Sequence, residues 1–256
     1  MQELFFRKLG EGKPMVILHG LFGSSDNWQT VAKKIANHYE VYLVDQRNHG
    51  KSFKSDEFSY ELMIEDLRNL IVSEGLQDLV LLGHSMGGKT AMGYVQKYPE
   101  GVEKLIVADI APVKYPVHHD VILTALNEAY NANLDSRQEA EDIIKKYIEH
   151  PAIQQFLLKN LYWEEKGKLG WKINIPVLTR EIVAISEWGD QIHGIDTPTL
   201  FIRGGKSDYI TEQTYPIIEE KFSDVHIETL ENSGHWVHAE QPEEFYNMVM
   251  QFCLFG

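Results

Sequence analysis

The stretch LVLLGHSMGGKTAMGYV, residues 79–95, carries the strongest structural signal in the chain. An apolar run, a glycine-rich turn and a helical pattern follow one another within it. Residues 83–87 (GHSMG) fit G-x-S-x-G, a sharp strand-to-helix turn that exposes a nucleophilic serine, here Ser85. Residues 83–90 also fit G-x-x-x-x-G-K-[ST], the phosphate-binding loop. Both motifs follow a strand and precede a helix, so both predict an α/β protein.

The overall composition limits the classes of function. A chain of 256 residues can form one large α/β domain, or one domain with an insertion. With 43% hydrophobic and 24% charged residues it has the composition of a soluble globular protein. Its formal net charge of −14 argues against nucleic acid or anionic membrane as a partner. The single Cys253, a short N-terminal apolar run and the lack of a long apolar stretch predict a cytoplasmic enzyme.

Short apolar runs alternate with helical patterns in both halves of the chain. Their continuity indicates parallel strands that are covered on both faces. The runs are MVIL (15–18), VYLV (41–44), LVLL (79–82), LIVA (105–108), TLFI (199–202) and the weaker HIETL (226–230). Such an alternation predicts a doubly wound sheet with function at the carboxyl ends of its strands. Between about 112 and 196 the pattern is mostly helical, which predicts a helical insertion.

Three features favour the serine turn over the phosphate loop. VILHGLFGSS (16–25) places a His-Gly pair after the first strong strand, and ENSGHWVHAE (231–240) places His235 after the last. The order serine, acid, histidine is the order of α/β-hydrolases. A phosphate loop normally follows the first strand of its domain, whereas at least two runs precede this turn. Nucleotide binding is therefore a remote alternative, and Lys89 and Thr90 are interpreted as helix residues.

Over nearly its full length the chain resembles the α/β-hydrolases, and most closely the small bacterial esterases of the YbfF type. The segments that carry the resemblance are HGLFGSSDNW, VDQRNHGKS, GHSMGGK, DIAPV, INIPVL and GHWVHAEQPEEF. The resemblance implies a mostly parallel, eight-stranded sheet with helices on both faces and a helical cap inserted after strand six. Residues 1–111 and 197–256 would then form the core domain, and residues 112–196 the cap.

The motifs and the resemblance together nominate the reacting groups. Ser85 is the candidate nucleophile, and His235 is the candidate base that takes its proton. An oxyanion that forms during attack needs two donors already aimed at it. By the resemblance, these donors are the main-chain N–H groups of Leu21 and Met86.

The acid partner of His235 has two candidate sources. FIRGGKSDYIT (201–211) reads like the end of a core strand, where the acid usually comes three residues after a glycine. Counting from its first or second glycine gives Ser207 or Asp208. The other source is Asp109 in VADIAPV. In YbfF-type esterases the D-I-A-P aspartate is retained and the later position is a serine. The resemblance therefore favours Asp109, with Ser207 as an added hydrogen-bond partner and Asp208 as the alternative acid.

Other polar and aromatic residues near the motifs have weaker assignments. Phe22 and Trp236 are expected to form apolar walls of the substrate pocket, with plain core packing as the alternative. His49, in the DQRNHGKS turn, is expected to lie outside the pocket. His118 and His119 are expected on the surface of the cap.

These assignments predict a serine carboxylesterase that acts on short-to-medium acyl esters, with acyl-CoA thioesters as a further substrate class. No cofactor is expected. No metal is expected either, because His235 and His238 need a tight turn to converge and no other ligand cluster supports them. A cofactor-free haloperoxidase or a carbon–carbon bond hydrolase uses the same serine turn and stays an alternative. A haloalkane dehalogenase is disfavoured because its nucleophile is an aspartate.

Overall fold

The computed structural model describes residues 2–117, 119–132, 134–165 and 167–255. Its strands are β1 (Phe6–Leu9), β2 (Lys13–Leu18), β3 (Tyr39–Val44), β4 (Leu79–His84), β5 (Val102–Ala108), β6 (Leu161–Glu165), β7 (Lys168–Trp171), β8 (Thr199–Gly204) and β9 (Val225–Leu230). Seven of them form the main sheet in the order β1-β3-β2-β4-β5-β8-β9. The edge strand β1 is antiparallel to β3, and all the other pairs are parallel.

Helices connect these strands and cover the sheet. They are α1 (Gln29–Ile35), α2 (Tyr60–Ser73), α3 (Met86–Lys97), α4 (Asp120–Asn131), α5 (Arg137–Tyr147), α6 (Pro151–Leu158), α7 (Ile175–Glu187), α8 (Tyr215–Lys221), α9 (Val237–Glu240) and α10 (Pro242–Phe255). A short 3-10 helix at Ser25–Trp28 precedes α1. Among the described residues, no helix combines the length and the apolar character that crossing a bilayer requires.

Successive residues of the central strands face opposite sides of the sheet, and each side has its own layer of helices. Val16 and Leu18 of β2 pack on one side in a core that includes α2 and α3. Met15 and Ile17 pack on the other side in a core that includes α1 and α10. Burial on both faces explains why the central strands are continuously apolar in sequence. The prediction of a mostly parallel sheet with helices on both faces is confirmed.

The number of strands differs from the prediction. The main sheet has seven strands within the described residues instead of eight, and the insertion follows the fifth strand of the chain instead of the sixth. The number eight came from the resemblance, whereas the apolar runs marked six strands. The seventh strand, β1, has no fully buried residue, so it left no apolar run to detect.

The segment between β5 and β8 is helical, as predicted, but it also contains an antiparallel hairpin of β6 and β7. The sequence did not reveal this hairpin, because Leu161 is the only buried residue of β6 and no alternation results. The helices of the segment bury a third core against Phe22 and Met86. The inserted segment therefore packs against the loops that follow the carboxyl ends of β2 and β4.

Candidate active site

Ser85 occupies the turn between β4 and α3 with φ 52°, in the left-handed region where a residue other than glycine is strained. The two flanking glycines make this turn possible. A Cβ atom at Gly83 would lie 2.2 Å from the carbonyl oxygen of Gly87, and one at Gly87 would lie 2.5 Å from that of Leu18. The Ser85 N–H donates to the Ala108 carbonyl at 3.0 Å, which ties the turn to β5.

Asp109 follows β5 and meets His235, which follows β9. The His235 Nδ1 atom lies 2.8 Å from Oδ2 of Asp109. The same carboxylate accepts the Gly204 N–H at 2.9 Å and the hydroxyl of Ser207. Asp109 is completely buried. Because an ionised carboxylate only accepts hydrogen bonds, Nδ1 of His235 carries the proton and Nε2 keeps a free lone pair.

The alternative acid lies apart from this arrangement. Asp208 is exposed, and within the described residues it has no hydrogen bond or ion pair with His235. Its neighbour Ser207 is buried and points its hydroxyl at the carboxylate of Asp109. Of the two candidate acids, Asp109 is the one that the fold brings to His235.

Three further side chains fix His235. The Tyr209 ring stacks on it with 4.1 Å between ring centroids, and the Tyr115 hydroxyl holds the Tyr209 carbonyl. His84 Nε2 donates to the His235 carbonyl at 2.8 Å. Among the described residues no hydrogen bond joins the Ser85 hydroxyl to His235, although both line one cavity. Such contacts are often long in a ligand-free site and tighten when substrate binds.

Leu21 and Met86 bring main-chain N–H groups to the side of Ser85. Met86 is the first residue of α3, so its N–H has no partner within the helix and lies at the positive end of the helix dipole. Leu21 follows Gly20, where a Cβ atom would lie 3.2 Å from the Cβ of Ser85. The Leu21 N–H has no hydrogen-bond partner in the part of the chain that the structure describes. Within the part of the chain that the structure describes, both N–H groups therefore lack a main-chain partner and are available to a ligand at Ser85.

A cavity of about 740 Å³ opens above Ser85 and His235. This volume lies in the range of small-molecule sites. Phe22 and Trp236 both line the cavity, and Trp236 packs 5.6 Å from the ring of Phe156. The inserted segment supplies much of the apolar wall, from Ile122, Ala152, Ile153 and Phe156.

Two further histidines, His84 and His238, lie beside the site and received no catalytic role from the sequence. Burial lowers the pKa of His238 to about 3, and it lowers the pKa of His84 well below the ordinary value. His235 nearby opposes a positive charge on either ring. His238 stacks on Trp28 with 3.9 Å between centroids. Both histidines are therefore neutral at pH 7, and their linear sequence gives no signal for this packing.

The other predicted histidine positions have separate outcomes. His49 does not line the cavity, but its Nε2 accepts the N–H of Phe22 at 3.2 Å. His119 was expected on the surface, yet it is half-buried and lines the cavity, with its ring 5.9 Å from that of Phe22. His118 lies outside the described residues. Across the described ranges no group of three or more His, Cys, Asp or Glu side chains is placed to hold a metal ion.

Lys89 and Thr90, which completed the phosphate-loop pattern, donate their side-chain hydrogen bonds to main-chain carbonyls. Burial lowers the pKa of Lys89 to about 7, and its ammonium donates to the carbonyls of Ser186 and Trp188 at the end of α7. The Thr90 hydroxyl donates to the Met86 carbonyl at 3.1 Å. Both residues belong to helix α3, and their side chains bond to main-chain carbonyls. The nucleotide-binding alternative therefore lacks the lysine and the hydroxyl that would contact a phosphate.

Comparison with known proteins agrees with this geometry. The sequence matches the family described as alpha/beta hydrolase fold over residues 13–242. It is 35% identical over 240 residues to esterase YbfF of Escherichia coli. That alignment covers 93% of this chain and 92% of the esterase. It is 37% identical over 246 residues to the sn-1-specific diacylglycerol lipase ABHD11 of Mus musculus, with coverage of 93% and 80%.

Among solved structures, a marine microorganism esterase aligns with a TM-score of 0.93 and 44% sequence identity. The alignment covers 98% of this chain and all of the other, so it includes the inserted segment. The chain therefore belongs to the α/β-hydrolase family, and within that family it is similar to the esterases of the YbfF type.

Proposed function

We propose that the protein is a serine carboxylic ester hydrolase with Ser85 as nucleophile, His235 as base and Asp109 as the acid that orients the base. The observation that carries this proposal is the 2.8 Å pair of Asp109 and His235 at the cavity that Ser85 also lines. The similarity to proteins named as esterases and as a lipase supports the same reaction class.

In the first half of the reaction, Ser85 Oγ attacks the carbonyl carbon of the ester while His235 Nε2 takes the hydroxyl proton. Asp109 stabilises the imidazolium that forms, and the Ser207 hydroxyl helps to hold Asp109. The carbonyl oxygen becomes an oxyanion that accepts the N–H groups of Leu21 and Met86. When this intermediate collapses, His235 returns the proton to the leaving alcohol, and an acyl group stays on Ser85.

In the second half a water molecule attacks the acyl-enzyme. His235 takes a proton from this water, and the same two N–H groups hold the second oxyanion. When this intermediate collapses, the bond between the acyl carbon and Ser85 Oγ breaks, His235 returns the proton to Oγ, and the carboxylic acid leaves. Neutral His84 and His238 beside the base leave its positive charge without further repulsion. The reaction needs no metal ion and no organic cofactor for any of these proton transfers.

The substrate class follows from the cavity wall. Short-to-medium acyl esters fit a partly apolar cavity of about 740 Å³, whose walls include Phe22 and Trp236. Residues 112–196 act as the cap domain over the core of residues 1–111 and 197–256, and the cap sets the acyl length that fits. Acyl-CoA thioesters are a further substrate class, because thiolate is a good leaving group for the same acyl transfer.

Ser85→Ala tests the nucleophile. We expect kcat on an activated short-chain ester to fall by roughly 10⁶, as loss of a nucleophile does in other serine hydrolases. Labelling of the wild type by a fluorophosphonate should disappear in the same variant. Near-normal turnover by Ser85→Ala would contradict the acyl-enzyme.

A panel of substrates tests the reaction class. The wild type should hydrolyse esters of increasing acyl length with a clear optimum, and acyl-CoA thioesters measure the further class. Carbon–carbon bond hydrolase and haloperoxidase substrates serve as the comparison, since both reactions use the same serine turn. A higher kcat/KM on either of these than on every ester would replace the proposed activity.

A further inference from the structure

The loop of residues 19–23, called here the 19–23 loop, carries Leu21 and is held in a strained conformation. Phe22 has φ 62°, in the left-handed region, and its side chain is buried. For a bulky residue this conformation is strained and persists only where surrounding contacts hold it. The contacts at Phe22 therefore decide whether the loop keeps its shape.

The core holds Phe22 through His49. The Phe22 N–H donates to His49 Nε2 at 3.2 Å, and His49 Nδ1 donates to the Arg47 carbonyl at 2.9 Å. His49 is completely buried. Since Nε2 accepts a hydrogen bond and Nδ1 donates one, the ring is neutral with its proton on Nδ1. Burial, together with the nearby His19, lowers the pKa of His49 well below its ordinary value.

The inserted segment holds Phe22 from the other side. Asn160, after α6, donates from Nδ2 to the Phe22 carbonyl at 2.9 Å, and to the Leu157 carbonyl at 3.2 Å. Asn160 is only 3% exposed, so water does not replace these bonds. The two peptide groups of Phe22 are thus fixed separately, one by the core and one by the inserted segment.

The turn that carries His49 is itself tied to the inserted segment. The Asn174 N–H donates to the Asn48 carbonyl at 2.9 Å, and the Asn174 amide donates to Oδ1 of Asn48 at 3.0 Å. Asn48 precedes His49 and has φ 63°. The inserted segment therefore reaches Phe22 by two routes, directly through Asn160 and indirectly through Asn48 and His49.

The neighbouring peptide group determines where the Leu21 N–H points. The Gly20 carbonyl accepts the Gly23 N–H at 3.0 Å and faces Nδ1 of His19 at 2.8 Å. In a trans peptide the N–H points opposite to the carbonyl, so these contacts turn the Leu21 N–H away from them. A release of Phe22 would let this peptide group rotate and would move the donor.

We infer that His49 and Asn160 are positioning residues for ester hydrolysis, which hold the 19–23 loop from the core and from the cap and so keep the Leu21 N–H aimed at the oxyanion. This role rests on the proposed function. Neither His49 nor Asn160 lines the cavity, so both act through Phe22 rather than by contact with the substrate. Because Asn160 belongs to the cap, its bond to the Phe22 carbonyl also makes the cap part of the catalytic geometry, in addition to the cap's effect on acyl length.

The test uses the whole 256-residue chain with three single variants, one double variant and one control. His49→Phe keeps a ring but removes the acceptor, and His49→Gln restores an acceptor oxygen. Asn160→Leu removes the donor and keeps four side-chain heavy atoms branched at Cγ, and the double variant combines His49→Phe with Asn160→Leu. The control is Asn127→Leu, because Asn127 is a half-buried asparagine of α4 whose amide bonds to Leu123 and Thr179 among the described residues. Measured for each are kcat and KM on a short-chain ester and the affinity for an alkyl boronic acid, which forms a tetrahedral adduct on serine.

His49→Phe and Asn160→Leu should each lower kcat by about tenfold to a hundredfold, less than the loss of a donor itself, and leave KM within about threefold. Boronate affinity should fall together with kcat/KM, because the adduct mimics the transition state. His49→Gln should recover part of kcat, and the double variant should lose less than the product of the single losses, since both act on Phe22. Asn127→Leu should match the wild type.

Comparisons are made at equal folded fraction from circular dichroism, and Asn160→Leu decides alone if His49→Phe does not fold. An active wild type with kcat unchanged in Asn160→Leu overturns the positioning role and leaves the proposed function intact. The positioning role is also overturned if the variants raise KM while their affinity for the boronic acid stays unchanged. A wild type that hydrolyses no ester overturns the proposed function and the positioning role together.

Discussion

At the scale of single residues, two aspartates give opposite expectations for the same substitution. Asp109→Asn should lower kcat by roughly 10⁴, because the neutral amide no longer stabilises the imidazolium of His235. Asp208→Asn should stay within about tenfold of the wild type, because Asp208 is exposed and lies apart from His235. Steady-state kinetics at matched folded fraction separate the two. A large loss confined to Asp208→Asn would move the acid to the loop after β8.

The residues that we propose for the reaction could be predicted from the sequence to different degrees. Ser85 and His235 follow from local motifs, because a sharp serine turn needs its glycines and the base follows the last strand. Asp109 came from the resemblance, since two registers of the glycine pair left the acid open. The positions of His84 and His238 beside the base could not be predicted, because their contacts join residues far apart in the chain.

At the scale of secondary structure elements, we expect α6 to be the part of the inserted segment that limits acyl length, because several of its residues line the cavity. Ile153→Trp should lower kcat/KM on long acyl esters before short ones, because Ile153 lines the cavity and a larger side chain fills its far end. The matched control is Val183→Trp on α7, whose side chain is 51% exposed. An equal loss across the ester series, or the same profile in both variants, would contradict this assignment.

Elements that bury a continuous face were predictable, and elements that bury little were not. β2, β4 and β5 are buried along their length, so apolar runs marked them. β1 and the β6–β7 hairpin bury at most one residue per strand, and their stability comes from pairing with a neighbour rather than from their own pattern. Tertiary pairing of this kind leaves no periodic signal.

At the scale of the whole molecule, buried neutral histidines make the fold sensitive to acid. In the folded state the pKa of His238 is about 3, whereas an unfolded histidine has an ordinary value of 6.5. Between these values the unfolded chain binds a proton that the folded chain does not. The contribution of neutral His238 to the free energy of unfolding is therefore fully present above pH 6.5 and is lost as the pH falls towards 3. His19, His49 and His84 also have lowered pKa values through burial and add to the effect.

His238→Phe tests this linkage, because phenylalanine can keep the stack on Trp28 without a group that titrates. Between pH 7.5 and pH 5 the free energy of unfolding should fall by about 2 kcal/mol less in His238→Phe than in the wild type. Urea unfolding at the two pH values measures the difference, and His38→Gln, which replaces an exposed histidine, is the control. An identical fall in His238→Phe and in the wild type would refute the linkage.

The crowded glycines around Ser85 also affect how the protein can evolve. No side chain fits at Gly83 or Gly87 without a collision with main-chain atoms, so we expect substitutions at these two positions not to be tolerated. Ile122, Ile153 and Phe156 instead line the cavity, where there is space for a change of side-chain size. In a random library selected for a new ester, surviving changes should accumulate in α4 and α6 and be absent from the serine turn. In that case the inserted segment determines which esters the protein accepts, and the turns at the ends of the sheet strands determine its chemistry.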